Sequence, residues 1–197
     1  MLTWKQLLGI LVITLVSGCS AFWKEPLSWN VGVVAPRHYD VWVHYLELET
    51  SGIRRWRVPI GFMPCCWKQP IFSSGGFTVP PPNFVVIRWF SFAERKLYSR
   101  QIALPADLEE RMRRKTPMKM GNGVTRFDPQ RNLIIGLAPG GQIVIWVMNQ
   151  AQNAEEILRI QAFEEEVDVA NYDVWIRNYD ARHGDYIRQH GIQYDGW

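Results

Sequence analysis

The sequence predicts a mainly β domain: a β-sandwich or a strongly twisted antiparallel sheet with one or two short helices, α+β being the alternative. Three observations predict it. Short runs of β-branched and aromatic residues recur between Gly- and Pro-bearing turns. No alternation of strands with long helical segments supports a doubly wound sheet. Ten Trp stand in 197 residues, 47% of them hydrophobic, and a β core is the expected place for most of those rings. No repeat of roughly 20–50 residues is visible.

The elements follow in order. Residues 28–34 (SWNVGVV) form a first strand, ended by Ala35-Pro36. Residues 41–49 (VWVHYLELE) form a second, apolar enough on both sides for both faces to be partly covered. Thr50-Ser51-Gly52 turns the chain, and 54–58 (RRWRV) returns as an edge strand, its charges marking an exposed face. From 59 to 83 the Gly and Pro content excludes a long regular element. This irregular region is either a recognition loop or a crossover with a packing role. Residues 83–92 (NFVVIRWFSF) make a central strand, 93–96 a polar turn, and 97–104 (LYSRQIAL) its partner. A helix is predicted over 107–115, with acids in its first turn and bases in its last, as the helix dipole favours. A polar connection covers 118–132. Residues 133–137 and 142–148 then form a hairpin around Ala138-Pro139-Gly140-Gly141. A strand over 157–163, with a short helix as the alternative, leads into the acidic run Glu164-Glu165-Glu166, and 184–190 makes one or two helical turns that Gly191 ends.

Ahead of this domain the chain opens with Lys5, an apolar stretch over 7–16 too short to span a bilayer, and then Val16-Ser17-Gly18-Cys19. Small residues before a Cys match the lipobox of bacterial lipoproteins, in which the Cys thiol accepts a diacylglyceryl group and cleavage makes it the new N-terminus. The expected organisation is a signal peptide over 1–18, a lipidated tether over 19–27 and a single domain over 28–197. An ordinary signal peptide and an uncleaved anchor are the alternatives. Ser20 after the Cys is consistent with sorting to the periplasmic face of the outer membrane. Loss of Lys5 takes the formal charge from +3 to +2. That value, with no basic stripe, predicts no nucleic-acid partner. Cys65 and Cys66 are adjacent; a vicinal disulfide, a reduced buried pair and an intermolecular pairing are open, with the reduced buried pair expected.

No nucleophile elbow, P-loop, zinc-binding His-Glu-x-x-His or dinucleotide fingerprint is present. His183 and His190 stand seven apart beside Asp180, Asp185 and Asp195; seven is neither i,i+3 nor i,i+4, so these are expected to be solvent-facing polar residues rather than a metal or acid–base site. The chain is thus expected to be no enzyme and to need no cofactor or metal. If it binds a protein, aromatic and Arg anchors are the residues to examine: Trp67, Phe72 and Phe77 of the irregular region, and Arg54, Arg55 and Arg57 before it.

Four stretches carry a family resemblance: Arg-Trp-Phe-Ser at 88–91, Tyr-x-x-x-Ile-x-Leu-Pro at 98–105, Gly-Leu-Ala-Pro-Gly-Gly at 136–141, and the terminal His-Gly-Ile-x-Tyr-x-x-Trp at 190–197. Together they resemble the Gram-negative lipoproteins grouped as domain of unknown function 2931, over most of 28–197. These motifs are structural and carry no site residues across. What the resemblance implies is a periplasmic lipoprotein, of a type often encoded beside type VI secretion lipases and serving as immunity protein against them. The expected partners are therefore the membrane, through acylated Cys19, and a secreted phospholipase toxin; an envelope structural or accessory lipoprotein with no toxin partner is the alternative.

Overall fold

The structure, a computed structural model, describes residues 25–69 and 73–197. Cys19 and the expected leader before it, most of the expected tether, and Phe72 lie outside the described residues.

The chain forms thirteen strands among the described residues: β1 Trp29–Val34, β2 Val41–Thr50, β3 Arg54–Val58, β4 Gly61–Met63, β5 Ser73–Phe77, β6 Phe84–Ser91, β7 Lys96–Ala103, β8 Lys115–Lys119, β9 Thr125–Pro129, β10 Asn132–Ala138, β11 Gln142–Met148, β12 Glu155–Gln161 and β13 Phe163–Glu165. Two α-helices join them, α1 Leu108–Arg113 and α2 Asp173–His190. One sheet has the order β12-β11-β10-β1-β5; the other has β13-β7-β6-β2-β3, with β4 pairing the start of β2. β1 runs parallel to β10, and the other pairings are antiparallel. The mainly β, sandwich-like fold expected from the sequence is the fold observed.

Strand periodicity places the core. In the first sheet Val31, Val33, Leu133, Ile135, Leu137, Ile143, Ile145 and Val147 face inward; in the second, Val41, Val43, Leu46, Leu48, Val85, Ile87, Trp89 and Ile102 meet them. The intervening residues of β10 and β11 are buried too, because the outer face of the first sheet is covered. Trp67 does much of that covering, packing edge-on to Trp146 at 4.9 Å between ring centroids. Gly136 makes room for the two rings: a Cβ there would sit 2.6 Å from Trp146 and 2.7 Å from Trp67. The irregular region is thus a crossover from β4 in one sheet to β5 in the other, with a packing role.

The outer face of the second sheet is half covered. Helix α2 and the turn before it lay Tyr172, Ile176, Tyr179 and Ile187 over Phe90, Phe92 and Leu97. Tyr172 stacks on Phe90 at 3.8 Å, and the buried Tyr179 donates to the His38 carbonyl at 2.7 Å. Gly191 ends the helix at φ 72°, as expected.

Several local expectations need correction. The one or two turns over 184–190 are the end of an eighteen-residue helix, with Gly184 in its interior. The helix over 107–115 is shorter, and Lys115 belongs to β8. The polar connection over 118–132 contains most of the β8–β9 hairpin. Its two strands lack an apolar face, so no alternation signals them. Side-chain amides hold it instead: Asn149 donates to the Thr116 and Asp128 carbonyls at 3.0 and 3.1 Å, and Gln150 pairs both the N–H and the carbonyl of Lys119. The single strand over 157–163 is two. Ala162 is buried between them as the chain passes from the first sheet to the second. Cys65 and Cys66 are bonded to each other and half-exposed rather than reduced and buried.

Candidate protein-binding face

The uncovered half of the second sheet's outer face is built by alternation. Leu46, Leu48, Val58, Val85, Ile87 and Ile102 turn inward. Their neighbours therefore turn outward: Tyr45, Glu47 and Glu49 from β2, Arg55 and Arg57 from β3, Phe84, Val86 and Arg88 from β6, Ser99 and Gln101 from β7. Phe163 and Glu165 of β13 extend the face at its edge.

The charges on this face are partnered within it. Glu47 accepts from Arg55 and, at 3.4 Å, from Arg57, whose guanidinium lies 5.4 Å from the Tyr45 ring centroid. The Arg55 hydrogen bond, with Arg57 beside it, holds the Glu47 carboxyl below its usual value. Across the face Arg88 reaches Glu165 at 2.8 Å; Glu165 is likewise held low, first by the Ser99 hydroxyl and then by Arg88. Arg100 comes over the 65% exposed Phe163 ring at 4.3 Å. A wall closes one end, where His44 and the Tyr172 hydroxyl meet at 2.6 Å. Burial, and then Arg88, holds the His44 imidazole below its ordinary value, with Glu165 opposing.

Beyond that wall the same sheet face continues under the helix. Trp42 packs against Trp175 at 4.9 Å, Phe62 stacks with Trp175 at 6.5 Å, and Arg182 lies over Phe62 at 5.2 Å. Phe62, Trp175 and Arg182 border a cleft of about 410 Å³ with Asn178 and Ala181. Sequence reasoning missed this cluster, since Trp175 joins Phe62 only once residues 173–190 are known to be helical.

The sequence-designated anchors divide among three places. Arg55 and Arg57 lie on the open face; Arg54 turns to the other side of the edge strand, over Trp56 at 5.3 Å. Trp67 is half-buried on the first sheet, and Phe77 is half-buried against Trp29 at 4.8 Å and Trp56 at 5.6 Å. Phe72 is outside the described residues. These anchors therefore do not form one patch.

A second polar cluster sits behind the helix. Asp40 is fully buried; its Oδ2 lies 3.1 Å from Arg182 Nη1 and 3.3 Å from His183 Nε2, while His183 Nδ1 faces His38 Nδ1 at 3.3 Å. Burial raises the Asp40 carboxyl above its ordinary value, and His183 and Arg182 partly offset this. Tyr186 stacks on His38 at 3.8 Å. The cluster joins the β1–β2 connection to α2 and so pins the helix to the sandwich. Among the described residues, no three His, Cys, Asp or Glu side chains are grouped to hold a metal ion.

The resemblance motifs also come together. Glu94 Oε1 accepts from the Tyr98 hydroxyl at 2.9 Å and from Gly140 N–H at 2.8 Å. Gly141, at φ 71°, leaves the space a Cβ would take 2.7 Å from the Tyr98 ring. Trp197 packs against Tyr39 at 5.4 Å and Trp67 at 6.0 Å. The two-sheet sandwich, closed on three faces and half-open on the fourth, defines the class of domain. Within that class the chain belongs to the family described as protein of unknown function DUF2931, which it matches over residues 18–195. No curated protein and no solved structure matches it.

Proposed function

We propose that this protein is a membrane-anchored periplasmic lipoprotein that binds a protein through the open half of its second sheet. The partner we propose is a type VI secreted phospholipase, which the chain neutralises as an immunity protein. The observation that carries the reading is the face itself. It presents Tyr45, Arg55, Arg57, Arg88 and Phe163 on a rigid sheet, and aromatic and Arg side chains dominate the energetics of protein interfaces. Its guanidiniums are already held by Glu47, Glu165 and the Tyr45 ring, so little side-chain ordering is left to oppose binding. The lipobox at Cys19 and the lipoprotein character that the family resemblance implies support the anchor.

The test is inhibition of the candidate phospholipase by the chain lacking its leader. Tyr45→Ala and Arg57→Ala each weaken binding by about 1–3 kcal/mol if these residues are central. Unchanged inhibition by both variants, with their melting temperatures preserved, moves the interface elsewhere. Failure to inhibit any lipase encoded beside the gene favours the accessory-lipoprotein reading.

A further inference from the structure

The β8–β9 hairpin stands apart from both sheets and carries apolar side chains in solvent. Its register places Lys115, Pro117, Lys119, Thr125 and Phe127 on one face, and all five are exposed. Phe127 is 64% exposed, and at the tip Val124 is 56% and Met120 38% exposed. Lys115 and Lys119 pair with no carboxylate among the described residues, whereas Arg126 on the other face pairs with Asp128 at 2.7 Å. One face of the hairpin thus exposes Pro117 and Phe127 beside two lysines that have no carboxylate partner among the described residues, and the tip exposes Met120 and Val124. Exposed apolar side chains beside lysines are the combination that interfacial membrane contacts use.

The position of the hairpin says which surface it meets. Arg113 donates to the Glu25 carbonyl at 2.9 Å, and Glu25, Pro26 and Leu27 share a cleft of about 320 Å³ with Lys115 and Phe127. The first described residues thus lie against the base of the hairpin. Cys19 stands six residues before Glu25, a reach of at most about 20 Å. An acyl chain on Cys19 would therefore hold this side of the domain close to the bilayer.

We propose that the hairpin is a second membrane contact: Met120, Val124 and Phe127 enter the interfacial layer of the bilayer that holds Cys19, with Lys115 and Lys119 against its anionic headgroups. This rests on the lipoprotein reading. Two weak attachments together fix an orientation that one flexible tether does not. The open face of the second sheet is then presented at a set height and angle.

The experiment uses the mature, acylated chain reconstituted in vesicles of phosphatidylethanolamine with a minority of phosphatidylglycerol. An environment-sensitive fluorophore is attached at Val124→Cys and, as the control, at Phe163→Cys. Emission from position 124 shifts to the blue and rises several-fold on vesicles, and the shift shrinks when phosphatidylglycerol is omitted or salt is raised. Position 163 does not respond. Vesicle-bound protein with no shift at 124, or equal shifts at both positions, overturns the hairpin contact and leaves the anchor standing. A shift at 124 that requires an added protein instead of lipid assigns the hairpin to a protein partner and also overturns it. Mass spectrometry showing no acyl group on Cys19 overturns the lipoprotein reading and this inference with it.

Discussion

A methyl group on Gly136 would have to displace ring carbons of Trp146 and Trp67, neither of which can swing aside without uncovering the first sheet. Gly136→Ala is therefore expected to destabilise the fold by about 1–3 kcal/mol, read as a lower urea midpoint at unchanged slope. No effect would mean that the residue 64–69 crossover moves freely off the sheet. A second residue-scale test concerns protons. Burial, reinforced by His183 and Arg37, holds His38 below the ordinary imidazole value of 6.5, and His44 is held low in the same way. The unfolded chain then takes up these protons first. Stability from these two groups is full above about 6.5 and is lost as pH falls through their folded values. Asp40 acts in the opposite sense: its raised carboxyl favours the folded state below the unfolded value of 3.8, and that contribution fades as pH rises through the folded one. The melting temperature should fall between about pH 7.5 and about pH 5.5. The His38→Gln/His44→Gln double variant should flatten that fall, and an equally steep decline in the variant would locate the protons elsewhere. Residue type had marked some of these roles: three of the ten Trp, Trp29, Trp89 and Trp146, are fully buried as β-core rings. It could not show Asp40 beside His183, because that pairing spans residues far apart in the chain and exists only once α2 is docked.

At the scale of elements, strands with an apolar face were legible and elements held by other forces were not. β2, β3, β6, β7, β10 and β11 fall where alternation and turn residues put them. The β8–β9 hairpin escaped because the amides of Asn149, Gln150 and Asn153, donating to its Thr116, Lys119 and Pro117 carbonyls, hold it rather than a buried stripe. Helix α2 escaped because His183, Gly184 and several polar residues interrupt its pattern; only docking on Phe90, Phe92 and Leu97 makes the segment worth ordering. That dependence has a consequence. Tyr179→Phe keeps the ring on Phe92 but removes the donor to the His38 carbonyl, costing about 1 kcal/mol. Since most of the helix's stability comes from docking, the loss should appear as faster amide exchange throughout α2, with the sheets little affected. Uniform loss of protection across the molecule would instead make the helix and sandwich one cooperative unit.

For the whole molecule, the division of the two sheets into four faces follows from what each strand carries outward. β10 and β11 are apolar on both sides and must be covered twice, while β2, β3 and β6 turn Tyr45, Glu47, Arg57 and Arg88 to solvent and need no cover. The open face was half-legible in the sequence: Arg55 and Arg57 were singled out, but Phe163 and Arg88 join them only through the β13-β7-β6 pairing. The proposed anchor acts at this same scale. Acyl chains contribute about 0.8 kcal/mol per buried methylene, so a lipidated Cys19 keeps the domain at the membrane a phospholipase attacks, where the local concentration of inhibitor greatly exceeds its cellular average. On the proposed reading, binding belongs to the sheet and needs no lipid. A Cys19→Ser chain, exported through a cleavable leader, should therefore inhibit the purified lipase with unchanged affinity yet protect cells less well at equal periplasmic abundance. Survival under attack, compared with affinity in solution, separates the two contributions. Full protection by the soluble form would make the anchor a matter of location alone. Lost affinity in solution would place Cys19 or its acyl chains within the interface rather than beneath it.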